Sequence, residues 1–191
     1  MNFKADTELF LFLNKDLGTF ADQFFLLISS RWIAIPLYAL LAWLMYRKYS
    51  KKIWIILITV ALLILVSDQV SVAFKNMVLR PRPCHEASLD HLIHLVNGYC
   101  GGPFGFYSSH ATNTMAITVF SIIVLRIPAL TWVLLSWVFV VGYSRIYLGV
   151  HYPFDVICGW IAGSLFGFIA ASIVNKILAI NNPELKSAAI D

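Results

Sequence analysis

At 191 residues the chain has the length of one domain, yet 60% of it is apolar and only 13% is charged, with a mean hydropathy of +0.78. A water-soluble domain of that size cannot bury so much apolar surface, so an all-α, polytopic membrane bundle is expected in its place. The net charge of +4 does not point to nucleic acid, because the basic residues stand at the ends of apolar segments and in one short stretch, not along a face.

In chain order, residues 1–22 carry Asp6, Glu8, Asp16 and Asp22 where a signal peptide would be basic, so this segment reads as retained. Leu9, Phe10, Leu11, Phe12, Leu13, Leu17 and Phe20, mixed with those acids and Lys15, predict an amphipathic helix lying in the membrane interface. Residues 24–46, 54–74, 109–125, 130–143 and 154–180 qualify as spans. A hydrocarbon core of about 30 Å needs roughly 20 helical residues, so the fourth is short unless it extends. Helices are expected because backbone polar groups in lipid must pair within their own segment. Between the second and third spans, residues 75–107 are polar and rich in Pro and Gly, which predicts an ordered external loop. With no repeat, and a polar tail at 181–191, the whole of 1–191 reads as a single integral-membrane domain.

The turn holding Arg47, Lys48, Lys51 and Lys52 without an acid predicts a cytoplasmic location. Counting spans from it puts the 75–107 loop and 144–152 outside, and Arg126, Lys176 and the 181–191 tail inside.

Three polar clusters fall at outer span ends: K-N-M-V-L-R-P-R-P at 75–83, Y-S-S-H at 107–110 and S-R-I-Y-L-G-V-H-Y-P-F-D at 144–155. Span parity alone puts all three on one membrane face, so they can form one site. Lys75, Arg82 and Arg145, joined by the N-terminal amides of the third span, make a receptor for a tetrahedral dianion. Two histidines, His110 and His151, supply the two further roles that ester cleavage needs: one attacks phosphorus as a neutral imidazole and the other donates a proton to the departing oxygen. Asp155 follows His151 by four residues, with Pro153 in the first helical turn, so its carboxylate can reach back to the imidazole and fix its tautomer.

These residues resemble the type 2 phosphatidic acid phosphatase (PAP2) family, which shares its phosphate site with vanadium haloperoxidases. The family patterns K-x-x-x-x-x-x-R-P and S-R-x-x-x-x-x-H-x-x-x-D match at Lys75, Arg82 and Pro83 and at Ser144, Arg145, His151 and Asp155. The P-S-G-H pattern departs at Tyr107 and Ser109 and matches at Ser108 and His110. The resemblance, over about residues 66–172, implies a PAP2/haloperoxidase-like helical core. It also implies His151 as nucleophile, His110 as general acid, Asp155 as the orienting acid, and Lys75, Arg82, Ser108 and Arg145 as phosphate ligands. Ser109, which retains a backbone N–H, joins them as a phosphate ligand. No metal and no other cofactor is expected.

Plainer readings compete. Arg80 and Arg82 have the form of headgroup anchors; the motif outweighs this for Arg82, while for Arg80 both readings stay open. Arg31 and Asp68 lie inside spans, where ionisable groups are costly; Asp68, two helical turns before Lys75, either tunes that lysine or makes a structural hydrogen bond. His85, Glu86, Asp90, His91 and His94 read as a polar loop in preference to a metal site. Cys84 and Cys100 share the external loop and are expected to pair in an oxidising compartment, whereas Cys158 is packing.

The expected function is metal-independent removal of phosphate from a membrane lipid, with lipid phosphate and membrane lipids as partners, at the outer face of a bacterial inner membrane. Undecaprenyl diphosphate or lipid A is favoured over phosphatidylglycerol phosphate and phosphatidic acid. The alternative is a protein that binds or transports a lipid phosphate without cleaving it; a haloperoxidase is disfavoured by the spans.

Overall fold

A computed structural model of the chain describes residues 4–98 and 100–180. The expected cytoplasmic tail at 181–191 and the side chain of Arg31 lie outside the described residues. Among the described residues there are seven α-helices: α1 Lys4–Leu13, α2 Thr19–Ser29, α3 Arg31–Tyr49, α4 Ile53–Val78, α5 Ser109–Leu125, α6 Pro128–Tyr147 and α7 Pro153–Ile180. Their limits follow from local chemistry. Leu79 and Arg126 take left-handed φ values of 52° and 57° and end α4 and α5. Ser108 caps α5, and Pro128 opens α6 with the φ that a first helical turn requires.

Two expectations are corrected at the N-terminal end. The helix foreseen over 1–22 is two helices, α1 and α2, separated at 14–18 where Gly18 has φ 89° and Asp16 accepts from its N–H at 2.7 Å. The span foreseen at 24–46 is broken at Ser30, whose extended backbone (ψ 149°) separates α2 from α3. Of the other spans, α5 keeps the expected 109–125 and three lengthen: α4 runs to Val78, α6 covers Pro128–Tyr147 in place of the short 130–143, and α7 starts at Pro153.

Among the described residues three helical stretches are long and apolar enough to cross a membrane: Trp32–Val78, which is α3 and α4 joined by a tight turn, Pro128–Tyr147 and Pro153–Ala179. The 17 residues of α5 are apolar but shorter. Trp54, Ile58, Leu62 and Leu65 on α4 and Ile161, Leu165 and Phe168 on α7 face outward. In water such a surface would aggregate; in lipid it is the expected exterior.

The α5–α7 pair is the centre of the bundle. The two helices run in the same direction and approach closely because α7 presents Gly159, Gly163 and Gly167 to α5. A Cβ at Gly163 would strike the Thr112 carbonyl, and one at Gly167 would lie 2.5 Å from the Ala116 oxygen. This contact sets the first turns of both helices side by side, with Ser108 N–H donating to Asp155 O at 3.0 Å. The inner half of the core is closed by Leu63, Phe120, Leu134, Ala171 and Val174.

The N-terminal helix packs on the outer ends of α6 and α7. Phe10 is fully buried and meets Tyr152 edge-on at 5.4 Å, while Leu9 and Phe12 are exposed. Asn14, also buried, donates to the carbonyls of Ile146 (3.0 Å) and Tyr147 (2.7 Å) at the end of α6 and accepts from His94 N–H at 2.7 Å. It thereby satisfies carbonyls that a helix end leaves without partners. The external loop is drawn together at its base: Arg82 N–H donates to Pro103 O and Gly105 N–H to Arg80 O, both at 3.0 Å. Beside this bridge, Cys84 and Cys100 form the expected disulfide, with Cα atoms 5.8 Å apart.

Candidate active site

At the end of the bundle where α4 stops and α5 begins, a cavity of about 1020 Å³ is lined by Lys75, Arg82, Ser109, His110, Arg145 and His151. It continues inward past Val60 and Ile64 of α4, Leu41 and Met45 of α3 and Ile117 of α5. One end is therefore cationic and most of the rest is apolar, with Asp68, Asn113 and Ser121 as polar exceptions, a shape suited to an anionic headgroup on a hydrocarbon chain.

Each cation is positioned by its own element. Lys75, in the last turn of α4, donates to Ser109 Oγ at 2.5 Å, and Ser109 shares a 2.6 Å hydrogen bond with Ser71. Ser109 is the first residue of α5 and is not one of the residues with positive φ, so a serine fits there without backbone strain. Its hydroxyl is a partner for Lys75 that a glycine would not supply. Arg82 is held through Nε by Gly102 O at 2.7 Å and through Nη1 by Val150 O at 3.1 Å. Arg145, in the last turn of α6, is buried and hydrogen-bonded to Ser29 Oγ. Ser108 is the expected phosphate ligand that the cavity does not include: its buried hydroxyl accepts from Ala111 N–H and caps α5.

His151 is almost wholly buried between two partners. Arg82 Nη1 lies 3.0 Å from its Nε2, and Asp155 Oδ2 lies 3.4 Å from its Nδ1. A guanidinium only donates, so Nε2 must offer its lone pair, and the ring proton sits on Nδ1 facing Asp155. Burial, followed by the charges of Arg82, Arg145 and Lys75, holds the His151 pKa well below its ordinary value, so the imidazole is neutral. Asp155 is fixed in turn: Tyr152 N–H donates to Oδ2 at 3.1 Å and Arg80 to Oδ1 at 2.8 Å. His110 lines the same cavity, with Arg145, His151, Lys75 and Arg82 as its charged or polar neighbours.

Sequence reasoning left Arg80 open and missed Asp6 and Gly105. Arg80 is buried, pairs with Asp155 at 2.8 Å and Asp6 at 2.6 Å, and stacks 4.0 Å over Tyr152. It is therefore no headgroup anchor. Asp6, from α1, also accepts from Phe154 N–H at 2.9 Å, so it caps α7 while holding Arg80. No spacing rule links Asp6 to these residues. At Gly105 a Cβ would come within 3.1 Å of Arg82 Cγ, 3.2 Å of Asp155 Oδ2 and 3.5 Å of His151 Nδ1, so a side chain there would intrude between His151 and Asp155.

Comparisons with known proteins agree with this geometry. The family model described as PAP2 superfamily matches residues 52–179. A lipid A 4'-phosphatase of Bacteroides thetaiotaomicron is 34% identical over 177 residues, covering 91% of this chain and 79% of that protein. An undecaprenyl-diphosphatase of Sulfolobus acidocaldarius is 29% identical over 178 residues, covering 90% and 80%. The crystal structure of Aquifex aeolicus LpxE superposes with a TM-score of 0.68 at 24% identity, covering 90% of this chain and 97% of that one. Motifs, fold and family model coincide, and the chain belongs to the PAP2 superfamily.

Proposed function

We propose that this site removes phosphate from an outer-leaflet lipid, lipid A or undecaprenyl diphosphate, through a phosphohistidine on His151. As a PAP2 member the chain is a membrane lipid phosphatase; the proposal concerns residues, face and substrate. The observation that carries it is the arrangement of His151, with its lone pair aimed at Arg82 and its N–H at Asp155, at the cationic end of a largely apolar cavity.

The phosphate group enters among Lys75, Arg82, Arg145 and the α5 N-terminus, where Arg82 exchanges its contact with Nε2 for a phosphate oxygen. Nε2 then forms the N–P bond while the P–O bond to the lipid breaks. The cations neutralise charge on the equatorial oxygens. The dianion offsets the surrounding positive charge and so favours protonated His110, which gives its proton to the leaving oxygen. Asp155, locked by Arg80, stabilises the imidazolium that forms at His151. In the second half, His110 takes a proton from water, whose oxygen attacks phosphorus and releases inorganic phosphate. Every charge compensation required is supplied by side chains.

Orientation toward the periplasm is supported by Lys48, which donates to the carbonyls of Val124 and Leu125 at 2.9 Å, at the opposite end of α5 from the site. The basic turn thus marks the far face, the side where cytoplasmic charge collects. The test is phosphate release from a panel of lipids in detergent with excess EDTA, together with a rapid-quench search for acid-labile phosphate on His151. Turnover with label on His151 is expected. Turnover that chelation abolishes and Mg²⁺ or Zn²⁺ restores, or label on another residue, would overturn the mechanism.

A further inference from the structure

The cavity wall carries a second polar tier that the reaction just described does not use. Below the cations stand Asp68 of α4 and Asn113 of α5. Asn113 Nδ2 donates to Asp68 Oδ1 at 3.4 Å, and Asn113 Oδ1 accepts from the buried Ser67 hydroxyl at 2.6 Å. The carboxylate only accepts, so the amide turns its NH₂ toward Asp68 and its oxygen toward the serine hydroxyl. Among the described residues Asp68 makes no ion pair. Asn113 follows Ser109 by four residues and Asp68 precedes Lys75 by seven. At the α-helical rise these offsets place the tier about 6–10 Å inward of the phosphate cradle. Farther in, the wall is mostly apolar, with Ser121 of α5 as a further polar side chain.

An ionisable side chain facing a cavity inside a membrane protein marks a function. A carboxylate accepts hydrogen bonds and repels phosphate, so Asp68 is no part of the anion cradle. Asp68 is exposed and accepts from Asn113 at 3.4 Å; when a lipid fills the cavity and expels water, its remaining hydrogen bonds must come from the lipid or be lost. A polyprenyl chain offers only hydrocarbon at that depth, and an acylglycerol offers ester acceptors. An acylated amino sugar offers hydroxyl and amide N–H donors close to its phosphate. We infer that Asp68 and Asn113 form a subsite for the donors of a phosphate-bearing sugar, so that the protein selects an acylated glycolipid phosphate over a polyprenyl diphosphate. This rests on the phosphatase reading and narrows it to one of the two favoured substrates.

The experiment compares kcat/KM on lipid A and on undecaprenyl diphosphate for the unchanged protein, Asp68→Ala, Asp68→Asn and Asn113→Leu. The unchanged protein should prefer lipid A. Asp68→Ala and Asn113→Leu should each lower the ratio of lipid A to undecaprenyl diphosphate by about 10–100-fold, the worth of a hydrogen bond to a charged group. Asp68→Asn, which keeps shape and one acceptor, should retain part of that ratio. If the ratio stays within about threefold in all variants, Asp68 acts on both substrates alike through Lys75, and the subsite is refuted. An unchanged protein that works only on undecaprenyl diphosphate refutes the subsite and leaves the phosphatase standing; one that hydrolyses neither lipid refutes both.

Discussion

Replacing Asp155 by Asn is the sharpest test of the proposed nucleophile, because every position around that carboxylate is occupied by a donor. Arg80 donates to Oδ1 at 2.8 Å, while Tyr152 N–H (3.1 Å) and the Nδ1 side of His151 (3.4 Å) face Oδ2. An amide must put its NH₂ in one of these places. The charged Arg80 contact is the stronger, so the carbonyl takes the Oδ1 position and the NH₂ faces Nδ1. His151 then accepts at Nδ1 and carries its proton on Nε2, the atom that must attack and that Arg82 already approaches at 3.0 Å. Regaining the active tautomer sets two donors against each other at Nδ1, at a cost of about 1–3 kcal/mol. The lost negative charge beside the developing imidazolium takes the total penalty to about 3–5 kcal/mol. At about 1.4 kcal/mol per tenfold, kcat should fall by roughly 10²–10⁴. Pre-steady-state phosphoenzyme formation with an activated aryl phosphate reads this step directly. An Asp155→Asn protein with native thermal stability and kcat within tenfold of the parent would refute the tautomer argument.

The two histidines should separate by leaving group: His151→Ala loses turnover of every substrate, whereas His110→Ala loses about 10²–10⁴-fold on a lipid phosphate but much less on an aryl phosphate that departs without a proton. If His151→Ala is the variant rescued by the better leaving group, the roles are reversed. Because His151 is held neutral, its acylation by diethyl pyrocarbonate, followed by peptide mass spectrometry, should keep its rate between pH 7 and 5.5. Over that interval a histidine with the ordinary pKa near 6.5 slows several-fold as it protonates, so an equal slowing at His151 would contradict the assignment. Reduction of the Cys84–Cys100 bond, or Cys84→Ser, should lower stability by about 3 kcal/mol for a loop of this length. The loss is read as reduced resistance of the external loop to proteolysis while the helices stay folded; unchanged proteolysis would show that the bond contributes little.

How much of this was legible follows from where each interaction is encoded. Lys75, Arg82, Arg145, His110 and His151 could be read because charged and imidazole groups at span ends are costly enough to need a reason, and because parity puts them on one face whatever the helices do in detail. Asp155 could be placed because its partner is four residues away on the same chain turn. Arg80 could not, because its partners Asp155 and Asp6 stand 75 and 74 residues away and only the packing of α1 on α7 brings them together. The break at Ser30 was hidden for a different reason: apolar residues continue on both sides of it, and hydropathy reports affinity for lipid, not helix continuity. The repeat of Gly159, Gly163 and Gly167 was visible in the sequence as a small-residue stripe, yet nothing local says which helix it meets. That missing fact decides the site. The stripe brings α7 against α5, the contact starts both helices at one level, and His110 and His151 then line the same cavity, as the proposed reaction requires.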